Sequence, residues 1–241
     1  SDGYTGEFRI TDNSGSGNTQ NYILMPNGLA GSVKLGTSNA FDWVFPGISV
    51  KPDAIWELGA DEVIKIYSPT SGYRIFVYGT LRVNTTADQP VIFTSLADNE
   101  YGYPSGSGTP DKGYWDGIYI SATGTAVLDH AVIRYGGPLV EVAKGGSLTL
   151  TNSTLEHSDS YGVRVYGVDG VVDQAILNNT ISDCNSYGIY VEDYSTSDGI
   201  ALSPEIRGNV INNCSYPIFL SAVSDGYTGE FRITDNSGSG N

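Results

Sequence analysis

Four rows of the second half of the chain place their apolar residues in shared columns. The rows are "AVLDHAVIRYGG" from Ala126, "LTLTNSTLEHSDSYGVRV" from Leu148, "AILNNTISDCNSYGIYV" from Ala175 and "PEIRGNVINNCSYPIFL" from Pro204. One column contains Leu128, Leu150, Ile176 and Ile206, and a second column, five residues later, contains Ile133, Leu155, Ile181 and Ile211. Short strands that stack rung upon rung produce such columns, because each rung cannot bury its apolar face alone.

Polar residues separate the two columns, and a short turn then leads to a second apolar run such as Val163–Val165 or Ile189–Val191. Successive rows begin 22, 26 and 30 positions apart, measured in the first column, so the variation falls in a loop on one side. No window holds a helical i, i+3, i+4 apolar stripe. The pattern predicts an all-β parallel β-solenoid of about eight to ten rungs; a β-sandwich is the alternative.

The opening eighteen residues, "SDGYTGEFRITDNSGSGN", return unchanged from Ser224 to Asn241, an offset of 223 positions. The returning segment fits the rows when Phe231 is placed in the Ile206 column. This register predicts that the solenoid continues into a next tandem copy. The chain is accordingly divided into N-terminal rungs with Gly-rich loops (1–48), the solenoid body (49–223) and the first rung of the next 223-residue repeat (224–241).

An uncapped solenoid exposes an unpaired rung at each end, which is a template for another chain. We expect these ends to be covered by neighbouring copies of the same repeat, stacked end to end. The residues expected at that interface are Phe8, Ile10, Phe231 and Ile233.

The composition and net charge limit the classes of partner that the chain is expected to bind. The net charge of −15 argues against nucleic acid and anionic membrane surfaces, which reward clustered Lys and Arg. No stretch approaches the roughly 20 apolar residues that span a bilayer, so no membrane span is expected in this segment. Few Lys and Arg, with 31 Gly and 17 Tyr, favour an extracellular or cell-surface location.

Several segments resemble a known repeat. "YGTLRVNTTADQPVIFTS", "GYWDGIYI", "AVIRYGG" and "NSTLEHSDSYGV" are similar to the right-handed parallel β-helix (pectate-lyase-like) repeats of large tandem-repeat prokaryotic cell-surface and secreted proteins. The resemblance covers roughly residues 49–220. It implies a single-stranded right-handed β-helix, an architecture that carries lyases, adhesins, tailspikes and structural stalks alike.

The resemblance also suggests calcium as a cofactor. Relatives of this repeat often hold a calcium-type Asp/Asn/Gly string in the loop that here reads "LADNEYGYPSGSGTPDKGYWDG". The candidate ligands are Asp98, Asn99, Glu100 and Asp111. The regular alternation of acidic residues is broken here, so a solvated acidic loop is the alternative. No other cofactor is expected.

Two further columns carry chemistry. Cys184 and Cys214 lie three residues after Ile181 and Ile211, so they occupy adjacent rungs about 4.8 Å apart, within reach of a disulfide. The alternative is a ladder of two buried thiols.

Tyr161, Tyr187 and Tyr216 form another column, interpreted as structural stacking or as a platform for sugars.

These features favour a structural or interaction repeat of a long extracellular β-solenoid filament, stalk or adhesin, with no catalytic residues. Its expected partners are neighbouring copies and cell-surface glycans. The alternatives are a polysaccharide lyase or hydrolase and a carbohydrate- or ice-binding solenoid. An enzyme would need clustered Asp residues in matching rows, and a flat ice binder would need a regular Thr array; neither pattern is found in the rows.

Overall fold

Short strands joined by tight corners make up the regular structure of the chain. The computed structural model describes residues 13–35, 41–67, 72–106, 108–166, 174–192, 204–221 and 232–241. The first strands are β1 (Tyr22–Leu24), β2 (Gly28–Leu29), β3 (Ser32–Leu35), β4 (Asp42–Phe45), β5 (Ile48–Val50), β6 (Ile55–Leu58), β7 (Val63–Ile66) and β8 (Ile75–Val77). They are followed by β9 (Thr80–Asn84), β10 (Val91–Ser95), β11 (Ile118–Ile120), β12 (Thr125–Asp129), β13 (Ala131–Arg134), β14 (Val140–Val142), β15 (Ser147–Thr151) and β16 (Thr154–Ser158). The last are β17 (Tyr161–Tyr166), β18 (Ala175–Leu177), β19 (Thr180–Cys184), β20 (Tyr187–Glu192), β21 (Glu205–Arg207), β22 (Val210–Asn212), β23 (Tyr216–Ser221), β24 (Arg232–Thr234) and β25 (Ser237–Ser239).

The described strands form three parallel sheets that the chain visits in a fixed cyclic order. The first sheet has nine strands in the order β1-β4-β7-β10-β13-β16-β19-β22-β25. The second has eight, β2-β5-β8-β11-β14-β17-β20-β23, and the third has eight, β3-β6-β9-β12-β15-β18-β21-β24. One strand from each sheet makes one rung, so the predicted parallel β-solenoid is confirmed. The stack already includes β1 to β4, which precede residue 48.

The predicted columns are confirmed by strand pairing. Leu128, Leu150, Ile176 and Ile206 are paired in succession on the third sheet. Ile133, Leu155, Ile181 and Ile211 are paired in succession on the first. All eight side chains are 0–1% exposed, so both columns line the interior.

One register prediction is wrong. Ile233 pairs with Ile206, and Arg232 pairs with Glu205, so the last row is displaced by two residues from the alignment that placed Phe231 under Ile206. The apolar spacing "FRI" allows either residue to point inward, and the pairing selects Ile233. Of the expected interface residues, Phe8, Ile10 and Phe231 lie outside the described residues.

The interior changes from aromatic to aliphatic along the axis. Trp43, Phe45, Trp56 and Phe93 fill the early rungs with edge-to-face ring contacts at 5.4 and 6.5 Å for the Phe45–Trp56 and Trp56–Phe93 pairs. Later rungs are lined by Leu, Ile and Val from all three sheets. Every rung therefore removes apolar surface from water only when another rung covers it.

The corner between the third and first sheets depends on one residue with a positive φ. This residue is His130, Asn152, Asn178, Gly208 and Asp235 in successive rungs, with φ between 50° and 68°. Asn, Asp and Gly tolerate this left-handed conformation better than branched residues, which explains the polar pairs seen in the rows.

A ladder of buried asparagines follows this corner. The Asn209 side-chain amide donates to the Ile176 carbonyl at 2.8 Å and to Asn236 Oδ1 at 2.9 Å. Its Oδ1 accepts from the backbone N and the side-chain Nδ2 of Asn179, both at 3.0 Å. Asn179 and Asn209 are 1% and 0% exposed, so this ladder satisfies backbone groups that the corner would leave unpaired.

The interior column yields a direct test. Ile181→Asp would place an uncompensated carboxylate in the stack and should reduce the free energy of unfolding by more than about 3 kcal/mol. The neighbouring Thr180 is exposed on the same strand, so Thr180→Asp should change it by less than about 0.5 kcal/mol. Urea unfolding followed by far-UV circular dichroism measures both. Equal effects of the two variants would contradict the assigned faces.

Candidate functional site

The outer side of the second sheet carries a set of partly to fully exposed rings. We call it the aromatic face and define it by the column Phe76, Tyr119, Glu141, Arg164, Tyr190 and Phe219, with the second column Tyr161, Tyr187 and Tyr216. Strand pairing places each member beside its equivalent in the next rung, because parallel strands lie about 4.8 Å apart. The three tyrosines therefore form an unbroken stack along the solenoid axis, whereas Glu141 and Arg164 separate the rings of the first column into two pairs.

The stacks are close and regular. Tyr187 is stacked on Tyr161 with ring centroids 5.6 Å apart and on Tyr216 with centroids 5.2 Å apart. Tyr190 is stacked on Phe219 at 5.4 Å, with the ring planes 10° apart. The predicted tyrosine column thus exists, and the structure adds a second aromatic column beside it. The two columns touch, because the Tyr187 and Tyr190 ring centroids are 5.0 Å apart, with the ring planes tilted by 58°.

Two arginine–glutamate pairs order this face. The Arg164 guanidinium lies 4.0 Å from the centre of the Tyr166 ring and donates to Glu192 Oε2 at 3.1 Å. The Arg74 guanidinium lies 5.2 Å from the Tyr119 ring and donates to Glu141 Oε2 at 3.1 Å. Burial, together with the nearby Glu carboxylates, raises the pKa of Tyr166 to about 12 despite Arg164. Both carboxylates are held by cations, so the face presents rings and paired charges.

The long loop between β10 and β11 is fixed by two buried cations. The Lys65 ammonium group, which is 0% exposed, donates to the carbonyls of Asp98 at 3.0 Å and Tyr103 at 2.6 Å. It also contacts Ser105 Oγ and the Asp42 carboxylate, both at 3.0 Å. Lys65 therefore binds oxygens from the loop in the way that a metal ion would.

Arg134 is the second cation. Its guanidinium contacts Glu100 Oε2 at 2.7 Å, Glu156 Oε1 at 3.3 Å and Asp98 Oδ2 at 3.6 Å. It also lies over the rings of Tyr101 and Tyr135, at 5.1 and 4.8 Å. A planar guanidinium suits this arrangement, since it can meet carboxylates at its edge and rings at its faces.

These contacts determine where the predicted calcium ligands lie. Asp98 accepts hydrogen bonds from Thr94 Oγ1 and from the Glu100 backbone N. Asn99 Oδ1 accepts from the backbone N of Ser105 and of Gly106. Asp111 is joined to the loop through its carbonyl, which accepts from the Tyr114 backbone N. Among the described residues no three His, Cys, Asp or Glu side chains converge as metal ligands. Calcium binding stays a prediction.

A recess of about 220 Å³ lies beside this loop, between Asp42, Asp61, Glu62 and Tyr103. Glu62 is 4% exposed, and its Oε2 accepts a hydrogen bond from the Trp43 indole N–H. Burial raises the pKa of Glu62 to about 7, because the indole donor only partly offsets desolvation and the Asp61 charge adds to it. This carboxyl group titrates near neutral pH.

The two cysteines occupy one column, as the rows indicate. Cys184 on β19 pairs with Ser158 on β16 of the first sheet. Cys184 and Cys214 are both buried and form no disulfide in the structure. Their side chains interact, and a hydrogen bond with Cys214 together with burial raises the pKa of Cys184. A disulfide between these neighbours remains an unconfirmed prediction.

The repeated segment has different structures in its two positions. Asn13–Asn18 is exposed and forms no strand. The identical residues Asn236–Asn241 contain β25, and the Asn236 and Asn241 amides donate to the carbonyls of Ile206 and Ile211 at 2.9 Å. The Asn241 Oδ1 accepts from the Cys214 backbone N at 3.0 Å. The segment thus folds as a rung where a preceding rung supplies its partners.

Comparison with known proteins agrees with this architecture. The family model described as "Right handed beta helix region" matches residues 110–241, which is more than half of the chain. The chain belongs to the right-handed β-helix family. No curated protein and no solved structure matched it. The handedness of this β-helix follows from the family, which includes pectate lyase-like enzymes and non-enzymes.

Some features of the β-helix surface had no clear signal in the sequence. Lys65 and Arg134 are single cations in strands, and only the fold shows that they hold one loop. The Tyr190–Phe219 stack could have been found by extending the row alignment three residues beyond the tyrosine column.

In the part of the chain that the structure describes, no helix is long and apolar enough to cross a membrane.

The buried carboxyl group of this β-helix gives a pH prediction. Because the folded-state pKa of Glu62 is above its unfolded value, the folded state binds more protons between about pH 4.5 and 7. The stability contributed by Glu62 is complete below pH 4.5 and is lost as the pH rises through 7. Relative to Glu62→Gln, the wild type should therefore lose stability from pH 5 to pH 8.

Thermal unfolding at several pH values measures this difference. Glu57→Gln is the matched control, because the Glu57 side chain is 42% exposed and pairs with exposed Lys34. The Glu57 variant should follow the wild type at every pH. A constant difference between the wild type and Glu62→Gln across this range would show that Glu62 does not titrate there.

Proposed function

We propose that this β-helix is a structural and interaction repeat of a long extracellular β-solenoid, in which copies are stacked end to end. The observation that carries the proposal is the repeated segment at residues 224–241. It has the sequence that opens the chain, and its β24 and β25 are paired in register with β21 and β22. The start of one copy therefore has the structure of a rung on the copy before it.

The exposed end supports the same proposal. β23 is an edge strand on which Tyr216, Phe219 and Leu220 are 55%, 37% and 38% exposed, whereas the equivalent Val191 on β20 is 1% exposed. Among the described residues no strand covers β23, and an uncovered apolar strand edge is a template for association. In a continuous solenoid the next copy covers it.

The extracellular location and the absence of catalysis are also part of this proposal. A net charge of −15 suits a soluble surface outside the cell. Glu141 on the aromatic face and Glu192 on the same sheet are paired with arginines rather than with each other. A polysaccharide lyase or hydrolase is the alternative, and release of unsaturated or reducing ends from acidic polysaccharides would establish it.

Electron microscopy of chains with increasing numbers of copies tests the structural role. One, two and three copies should appear as straight rods that lengthen by roughly 40 Å per copy, because about eight rungs of ~4.8 Å separate equivalent strands. The single copy is the control for width and length. Flexible strings of separate particles would refute a rigid shaft.

The aromatic face supports a second candidate function, binding of cell-surface glycans. Stacked Tyr161, Tyr187 and Tyr216 repeat one aromatic ring per rung along the axis, with centroids 5.6 and 5.2 Å apart. Sugars present apolar C–H faces at a comparable repeat along an extended chain, and aromatic rings bury such faces well.

Binding to an oligosaccharide panel tests this candidate. Tyr187→Ala should weaken binding roughly 2- to 13-fold, the effect of losing one aromatic contact of about 0.5–1.5 kcal/mol. Tyr67→Ala is the control, because Tyr67 is 43% exposed, directly follows β7 of the first sheet and is not a member of the aromatic face. Equal losses for the two variants, or no binding to any glycan, would remove the candidate.

A further inference from the structure

The cyclic order of the strands determines which face a following copy can occupy. The described strands pass from the first sheet to the second and then to the third without skipping one, from β1 to β25. With 25 strands in the described residues, both β1 and β25 lie on the first sheet. The next strand along the chain therefore belongs on the second sheet, above β23.

The number of residues between paired positions in successive rungs also places the next strand on the second sheet. Paired residues in successive rungs are between 20 positions apart, as in Tyr22 and Asp42, and 45 positions apart, as in Leu81 and Ala126. The following copy's Ile23 is position 246, because the copies are offset by 223. That position is 8 residues after Gly238 on the first sheet, 13 after Ile233 on the third and 28 after Ile218 on the second. Only the last value is long enough for a rung.

We propose that a following copy continues the solenoid rotated by one face, so that its β1 pairs with β23 of the copy before it. This inference rests on the tandem array proposed above. Each sheet of one copy then continues into a different sheet of the next. Stacking of like sheets is excluded, because 8 residues span at most about 29 Å and the shortest rung needs 20 residues.

The two edges match in chemistry. On β23, Ile218 and Leu220 continue the inward columns of Ile189 and Val191, and Phe219 continues the outward column of Tyr190. At the start of a copy, Ile23 packs against the core and Met25 is buried, whereas Leu24 between them is 65% exposed. Pairing Ile23 with Ile218 would place Leu24 on Phe219 and Met25 on Leu220.

The connection from β25 to the following copy's β1 would be as long as other connections from the first sheet to the second. From the first sheet to the second, the chain uses seven residues between Ile211 and Ile218 and eight between Ile181 and Ile189. From Gly238 to the following copy's Ile23 it would also use eight. The rotated copy therefore joins without an inserted loop.

Cysteine cross-linking in a two-copy chain tests the rotation. In a background with Cys184→Ser and Cys214→Ser in both copies, one chain carries Phe219→Cys in the first copy and Leu24→Cys in the second. Neighbours on adjacent strands lie about 4.8 Å apart, within disulfide range. A control chain carries Ser239→Cys with the same Leu24→Cys, the pair that stacking of like sheets would bring together. The first pair should form a disulfide at least about tenfold faster than the control pair.

The outcomes separate this inference from the proposed function. Faster linkage of the Ser239 pair, or equal rates in a chain that is still a single rod, would overturn the rotation and leave the array intact. Two particles that tumble independently in small-angle scattering would refute the rigid array itself. Electron cryomicroscopy of the unsubstituted two-copy chain is the second measurement, and it should show the aromatic faces one-third of a turn apart.

Discussion

Parallel stacking of each rung on its own equivalent is the constraint on which the rest of the structure depends. Strands about 4.8 Å apart place every side chain directly above the residue in the same column. An inward column must therefore be apolar in every rung, and an outward column repeats whatever group it contains. This explains why Ile133, Leu155, Ile181 and Ile211 are so alike, and why the tyrosines stack along the outside. Hydrophobic burial and exposed stacks have the same geometric cause.

The corners extend this constraint to polar groups. A residue with a positive φ turns the chain, and the next residue must satisfy backbone groups that no strand reaches. Asn179 and Asn209 do so with both side-chain atoms, linking three rungs through buried hydrogen bonds. Ser153 takes the same position one rung earlier, where its hydroxyl accepts from the Ala131 backbone N. The shorter side chain makes fewer bonds, so the ladder is strongest toward the last rungs.

The parts of this fold that could be predicted are those that repeat. The apolar columns, the corner residues and the cysteine column each recur in more than one row, so each row supports the assignment of the others. The register of Ile233 failed because "FRI" offers two inward candidates in one short row, and only pairing with Ile206 separates them. Lys65 and Arg134 could not be found because each acts once, on a loop that no other rung contains. Non-repeating contacts leave no periodic signal.

Rotation by one face changes what a long array presents to its surroundings. If like sheets were stacked, every aromatic face would lie on one side of the shaft, and the array would be a one-sided ribbon of rings. A shift of one face per copy moves the aromatic face around the triangular section, so three copies expose it in three directions. The cause is local: 25 described strands, β1 to β25, precede the next copy's β1, and dividing them among three sheets leaves one strand over. A repeat with 24 or 27 strands would keep all faces aligned. The strand count of one copy therefore determines whether the array contacts partners from one side or from all sides.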